Sequence, residues 1–128
     1  MARGFSYAPG ASDDVALARS AQLSRAQIHA LATGKNAVAR ERSAQRPDVP
    51  LGTTGGRAHD RVAEVRAAIA ANAAATETVL EHLSNDRNVA VLHGLLDNPA
   101  APPAIVERLA FSRKAEVRAH AMRRLDES

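Results

Sequence analysis

The stretch Val65-Arg66-Ala67-Ala68-Ile69-Ala70-Ala71-Asn72 has a counterpart 26 residues further on, Val91-Leu92-His93-Gly94-Leu95-Leu96-Asp97-Asn98. Beyond each Asn the register holds, since Val79-Leu80-Glu81-His82-Leu83 answers to Ile105-Val106-Glu107-Arg108-Leu109. A third copy opens at Val117-Arg118-Ala119-His120-Ala121. Apolar residues three and four apart inside each copy describe a pair of short helices, a unit that cannot bury its apolar face alone. Asp60-Arg61, Asp86-Arg87 and Ser112-Arg113 each begin five residues before the Val of their copy, which predicts N-caps there. Asn72 and Asn98 are expected to close the first helix of each unit in the left-handed conformation. Pro99, Pro102 and Pro103 stiffen the next connection, with Pro103 acceptable in a first helical turn.

Towards the N-terminus the pattern weakens. Gly34-Lys35 precedes Asp60-Arg61 by 26 residues, and Arg46-Pro47-Asp48-Val49-Pro50 precedes Asn98-Pro99-Ala100-Ala101-Pro102 by twice that. Ser24-Arg25-Ala26-Gln27 has the form of a capping box leading into Ile28 and Leu31, and Ser12-Asp13-Asp14 predicts the cap of a first helix running to about Gln22. Leu51-Gly52-Thr53-Thr54-Gly55-Gly56 occupies the place of a second helix, but its glycines predict a loop. The expected organisation is therefore an irregular arm over 1–11, N-terminal helices with a degenerate repeat over 12–50, a Gly-rich loop over 51–59 and helical repeats over 60–128.

The pattern Val65-Arg66…Ala70-x-Asn72…Val79-Leu80…Leu83, repeated at Val91…Asn98-Pro99…Val106…Leu109 and restarted at Val117-Arg118, resembles the variant leucine-rich repeat family and shades into HEAT-like helical repeats. The resemblance covers residues 60–125 closely and 23–50 loosely. It implies a right-handed superhelix of paired helices and a binding role, and it supplies no catalytic residues. Leu92 in place of Arg after Val91, Ala73 in place of Pro after Asn72, and the Gly-rich break depart from it. The expected fold is all-α, a short right-handed α-solenoid with a period of about 26 residues and an irregular N-terminal arm.

Composition agrees with helices. Phe5, Tyr7 and Phe111 are the whole aromatic set, so a core must be made of Ala, Val, Leu and Ile, which suits close-packed short helices better than sheets. The absence of cysteine excludes disulfides, thiolate metal sites and cysteine nucleophiles. Met1–Tyr7 has no apolar h-region, and no stretch reaches the ~18 consecutive apolar residues of a membrane span. The expected localisation is the cytoplasm, or a particle assembled there such as a virion.

Stacked repeats bury their faces against their neighbours, which makes Val65, Ile69, Val79, Leu80, Leu83, Val91, Leu95, Val106 and Leu109 the expected core. Equivalent positions line up along one surface, so Lys35, Arg61, Arg87 and Arg113 are expected to form a basic stripe, with steps of roughly 8–10 Å. Arg40, Arg66 and Arg118 would form a second row, broken at Leu92. Phe5, Tyr7, Gly55, Gly56, Arg57, Met122 and Leu125 are the expected partner contacts. The leading functional expectation is a non-enzymatic protein–protein interaction scaffold, a structural or accessory subunit of a larger assembly, whose partner is another protein or a second copy. The alternative is a nucleic-acid-binding module using the stripe, although aromatics to stack bases are missing.

Catalysis is not expected, and neither is a cofactor, a metal or a small-molecule substrate. His29, His59, His82, His93 and His120 show no i, i+4 pair and no HExxH spacing. The register would let His93 and His120 approach each other across adjacent units, a conceivable metal site with Asp97, but such histidines are ordinarily surface or satisfied groups. Gly52-Thr53-Thr54-Gly55-Gly56-Arg57 lacks the Gly-Lys-Ser/Thr ending of a phosphate loop.

Overall fold

The computed structural model describes residues 11–20 and 22–127. Among these the chain forms nine α-helices and no strand: α1 (Ala11–Ala18), α2 (Arg25–Thr33), α3 (Ala37–Ala44), α4 (Leu51–Arg57), α5 (Ala63–Ala70), α6 (Glu77–Leu83), α7 (Val89–Asp97), α8 (Pro103–Leu109) and α9 (Ala115–Asp126). Helices α1, α3, α5, α7 and α9 begin at 26-residue intervals, and so do α2, α4, α6 and α8. Each odd-numbered helix lies against the next odd-numbered one, and each of α2, α4, α6 and α8 packs on the odd-numbered helix that follows it. None of the helices described is long and apolar enough to cross a membrane. Phe5, Tyr7 and the expected N-terminal arm lie outside the described residues, apart from Ala11, which opens α1.

Val65 and Ile69 of α5, Val91 and Leu95 of α7, and Val117 and Ala121 of α9 share one core with Leu80 and Leu83 of α6 and Ile105 and Leu109 of α8. All nine residues expected in the core are buried. Each large aliphatic side chain removed from water contributes about 1.5–3 kcal/mol, far more than the propensity of such short helices. A smaller cluster of Ala18, Leu31 and Ala39 ties α1 to α2 and α3.

Helix α4 corrects the expectation of a loop over 51–59. Its glycines cost helix propensity, but Thr53, Thr54 and Ala58 are buried, and the Pro50 carbonyl accepts from the backbone N–H groups of Thr53 and Thr54. The Thr54 hydroxyl donates to the Leu51 carbonyl. Packing of this buried side against α2 and α5 outweighs the local preference. A β-carbon at Gly52, Gly55 or Gly56 would meet nothing within 4 Å. Gly52→Ala and Gly55→Ala are therefore expected to stabilise the protein by about 0.5–1 kcal/mol each. Gly94→Ala has the opposite sign, since its β-carbon would sit 2.8 Å from the Ala67 carbonyl oxygen where α7 crosses α5. It should cost about 1–3 kcal/mol. Denaturant melts of the three variants check both directions.

Helix starts are shifted from their expected positions. Ser24 forms the expected capping box with Gln27, and Ser12 falls inside α1. The N-caps of α5, α7 and α9 are Val62, Asn88 and Lys114, two residues after the expected Asp60, Asp86 and Ser112. The side-chain oxygens of those three accept from the backbone N–H of Val62, Asn88 and Lys114. They close turns that lead into each helix.

Asn98 is likewise not left-handed, with φ −80° and ψ 118°. Its side chain bridges helices: Nδ2 donates to the carbonyls of Ala70 and Asn72, while Oδ1 accepts from the Ala100 N–H. Asn72 repeats this on Ala44, Arg46 and Ala74. At the same interval Arg46 donates to Ala18 and Ser20, and Arg124 to Leu96 and Asn98. Ala18, Ala44 and Ala70 end α1, α3 and α5, and their carbonyls lack a partner inside their own helix. Each unit thus caps the helix of the unit before it.

Candidate macromolecule-binding edge

The segments entering α3, α5, α7 and α9 lie side by side, and side chains sew them together. Arg40, in α3, donates from one guanidinium to the Gly34 carbonyl and to both carboxylate oxygens of Asp60, at 2.9 and 3.3 Å. Arg66, in α5, does the same to the Asp60 carbonyl and to Asp86. Lys114 Nζ donates to the Arg87 carbonyl, joining the last two segments. Arg40 and Arg66, expected as a second exposed row, are instead buried and half-buried, because their carboxylate partners come from the following unit. Arg118 is exposed and donates to the Ser112 carbonyl.

The break at Leu92 involves both members of a pair. At the α7–α9 step the arginine position holds Leu92, buried in the core, and the aspartate position holds Ser112. A carboxylate left there without its guanidinium would carry the cost of desolvation unrelieved. The two replacements remove that cost together.

Asp60 is the most enclosed charge of this edge. Burial raises its carboxyl pKa, but hydrogen bonds from Arg40, the Val62 N–H and Arg57, together with the Arg40 charge, outweigh burial and hold it below the ordinary value. Asp86 is lowered in the same way, burial being outweighed by Arg66, the Asn88 N–H and the His82 charge.

Lys35, Arg61, Arg87 and Arg113 stand two residues before the first residue of α3, α5, α7 and α9, and all four are exposed. None has an ion pair or a side-chain hydrogen bond to a described residue. The carboxylates nearest in sequence, Asp60 and Asp86, are turned inward to Arg40, Arg57 and Arg66. The row therefore carries uncompensated positive charge. Between the first two segments a groove of about 660 Å³ is lined by Lys35, Arg40, Arg57, His59, Asp60 and Arg61, four permanent cations against one carboxylate. The His59 and His82 rings lie 4.2 Å apart, centroid to centroid, and continue the edge towards Arg87. Phe111 is 87 % exposed near its far end, two residues from Arg113.

The other expected contacts scatter. Gly55 is half-buried and Gly56 exposed in α4, while Arg57 donates to Asp60 at 2.8 Å. Met122 is exposed on α9, but Leu125 packs against the main core. His93 and His120 do meet, Nδ1 to Nδ1 at 2.6 Å, and His120 Nε2 lies 3.0 Å from Asp97 Oδ1. Among the described residues no three His, Asp or Glu side chains are grouped to hold a metal ion. The Arg–Asp bridges and the carbonyl-capping ladder were missing from the sequence expectations. Their signal was present: Arg46, Asn72, Asn98 and Arg124 recur at one interval, as do Arg40 with Arg66 and Asp60 with Asp86. Compared with known protein families, with curated proteins and with solved structures, the chain matches none.

Proposed function

We propose that the chain is a non-enzymatic scaffold, a short right-handed α-solenoid of the variant leucine-rich repeat or HEAT-like kind. Its edge of unpaired cations docks an acidic face of a partner protein, making it a structural or accessory subunit of a larger assembly. The observation that carries this reading is the contrast between two adjacent registers. Arg40 and Arg66 are matched to carboxylates, whereas Lys35, Arg61, Arg87 and Arg113 face solvent unmatched. Unmatched charge on one edge attracts an oppositely charged surface and speeds encounter, and exposed Phe111 offers the kind of aromatic anchor that such interfaces use.

A second reading, nucleic acid as partner, is favoured by the regularity of the row. One cation per unit, at steps of roughly 8–10 Å, suits the repeating charge of a phosphate backbone.

One binding experiment separates the two. A fluorescent poly-glutamate peptide and a 20-base-pair DNA duplex are titrated with the protein at roughly 50 and 250 mM NaCl, alongside the Lys35→Glu/Arg61→Glu/Arg87→Glu/Arg113→Glu variant. The docking reading expects peptide binding that weakens about tenfold across this salt range and disappears in the variant, while circular dichroism shows the variant folded. Duplex binding well above peptide binding, with a steep salt slope, would transfer the edge to nucleic acid. No binding of either at low salt rules out both.

A further inference from the structure

We propose that the junction between α7 and α9 is a proton-sensitive latch, built from His93, His120 and Asp97, that loosens the last helix on acidification. The other two odd-helix junctions of this edge are bridged by Arg40–Asp60 and Arg66–Asp86. The α7–α9 junction lacks that bridge, having Leu92 and Ser112 at its positions, and holds two imidazoles that meet edge to edge, their planes 27° and their centroids 4.9 Å apart. Their contact is Nδ1 to Nδ1 at 2.6 Å. His120 Nε2 donates to Asp97 Oδ1 at 3.0 Å.

These contacts limit how many protons the pair can hold. With Nε2 of His120 bearing its hydrogen towards Asp97, a neutral His120 has a lone pair on Nδ1, and His93 donates its Nδ1–H to it. One added proton keeps the contact, because either ring can then be the donor and the other the acceptor. A second added proton puts an N–H on both Nδ1 atoms and a positive charge on both rings, and the contact becomes a repulsion. Asp97 answers one of the two charges, on His120, and leaves the clash of two facing Nδ1–H groups in place. On α9, Glu116 and Arg124 stand one turn before and after His120; the groove beside His120 is lined by Arg123, Arg124 and the C-cap Glu127, and from α7 by Asp97. Helix α5, on the other side of α7, carries Glu64 and Arg66, the latter engaged by Asp86. Helix α8, against α9, carries Glu107 and Arg108, the latter engaged by Glu81.

The Nδ1–Nδ1 contact has room for one added proton, whereas rings held apart have room for two. The docked form binds fewer protons, so its stability falls as pH falls through the histidine range. The equilibrium shifts by up to about tenfold per pH unit for each proton of difference.

Hydrogen–deuterium exchange on the full chain at pH 7.5 and 5.0, corrected for the intrinsic exchange rate, tests this with His93→Ala as the second sample. Ala is the residue at the corresponding positions Ala67 and Ala119, so the variant keeps the packing of the repeat. In the unsubstituted protein, protection of α9 should fall about tenfold or more relative to α5 and α6 on going to pH 5.0. In His93→Ala the fall should vanish or reverse, because a protonated His120 then simply pairs with Asp97. Equal α9 protection at the two pH values, or the same fall in both proteins, overturns the latch. If His93→Ala does not fold, ring ¹⁵N spectra of the unsubstituted protein decide. Hydrogens on both Nδ1 atoms at pH 5.0 with α9 still protected would equally overturn it.

Discussion

Asp60→Ala is expected to lower the free energy of unfolding by about 3–5 kcal/mol, the cost of removing one partner from a buried ion pair. The Asp60 side chain is 2 % exposed and receives Arg40 Nε at 2.9 Å and Arg57 at 2.8 Å. It also accepts from the Val62 N–H that opens α5. Deleting it strands the Arg40 guanidinium, itself 9 % exposed, with only the Gly34 carbonyl left. The protein's own α7–α9 step indicates the rescue. Arg40→Leu/Asp60→Ser copies the Leu92/Ser112 combination and should lose distinctly less than Asp60→Ala alone, since it leaves no buried charge unanswered. Urea melts of single and double variants measure the difference. A double variant as unstable as the sum of its parts would show that the bridge acts through packing and not through charge.

The same carboxylate sets an acid limit. Its pKa is lowered on folding, so the bridge stabilises fully above the unfolded carboxyl value of about 3.9. That contribution is lost as pH falls through the lower folded value. Asp86 adds a second loss in the same window. Acid unfolding from this source lies well below the histidine range of the α7–α9 latch, which keeps the two effects separable.

How much of this was legible in the residues differs from feature to feature. The apolar positions of α5 to α9 declare themselves, because burial selects Val, Leu and Ile at helical spacing and tolerates little else. The helix at Leu51–Arg57 does not, because its evidence lies in a neighbour: Thr53 and Thr54 are polar, and only the faces of α2 and α5 make their burial favourable. The aspartates and asparagines mislead for a related reason. Read locally, Asp60 and Asn98 are a cap and a turn. Their stronger bonds cross to residues 20 to 28 positions away, where local rules have no reach. The basic row was visible as spacing, but its lack of partners depends on Asp60 and Asp86 turning inward, which no spacing states.

Asn98→Asp is expected to destabilise the protein by about 3–5 kcal/mol at neutral pH, more than Asn98→Ala at about 2–3 kcal/mol. Asn98 is fully buried. Its Nδ2 lies 2.8 and 2.9 Å from the carbonyl oxygens of Ala70 and Asn72, and its Oδ1 lies 2.9 Å from the Ala100 nitrogen. Alanine abandons these groups and leaves a cavity. A carboxylate does worse, because it sets a charged acceptor against two acceptors and finds one donor for its four lone-pair sites. The two substitutions separate by pH. Burial among carbonyl oxygens raises the introduced carboxyl, so its penalty is present at neutral pH and is relieved as pH falls through the raised value, where a proton lets it donate to one carbonyl. The Asn98→Asp deficit, measured as the melting-temperature difference from the unsubstituted protein, should therefore shrink between pH 7.5 and 4.5, while the Asn98→Ala deficit stays constant. A pH-independent Asn98→Asp deficit would mean that water reaches the site, and that the ladder of side chains capping each preceding helix is a weaker tie between units than its enclosed geometry requires.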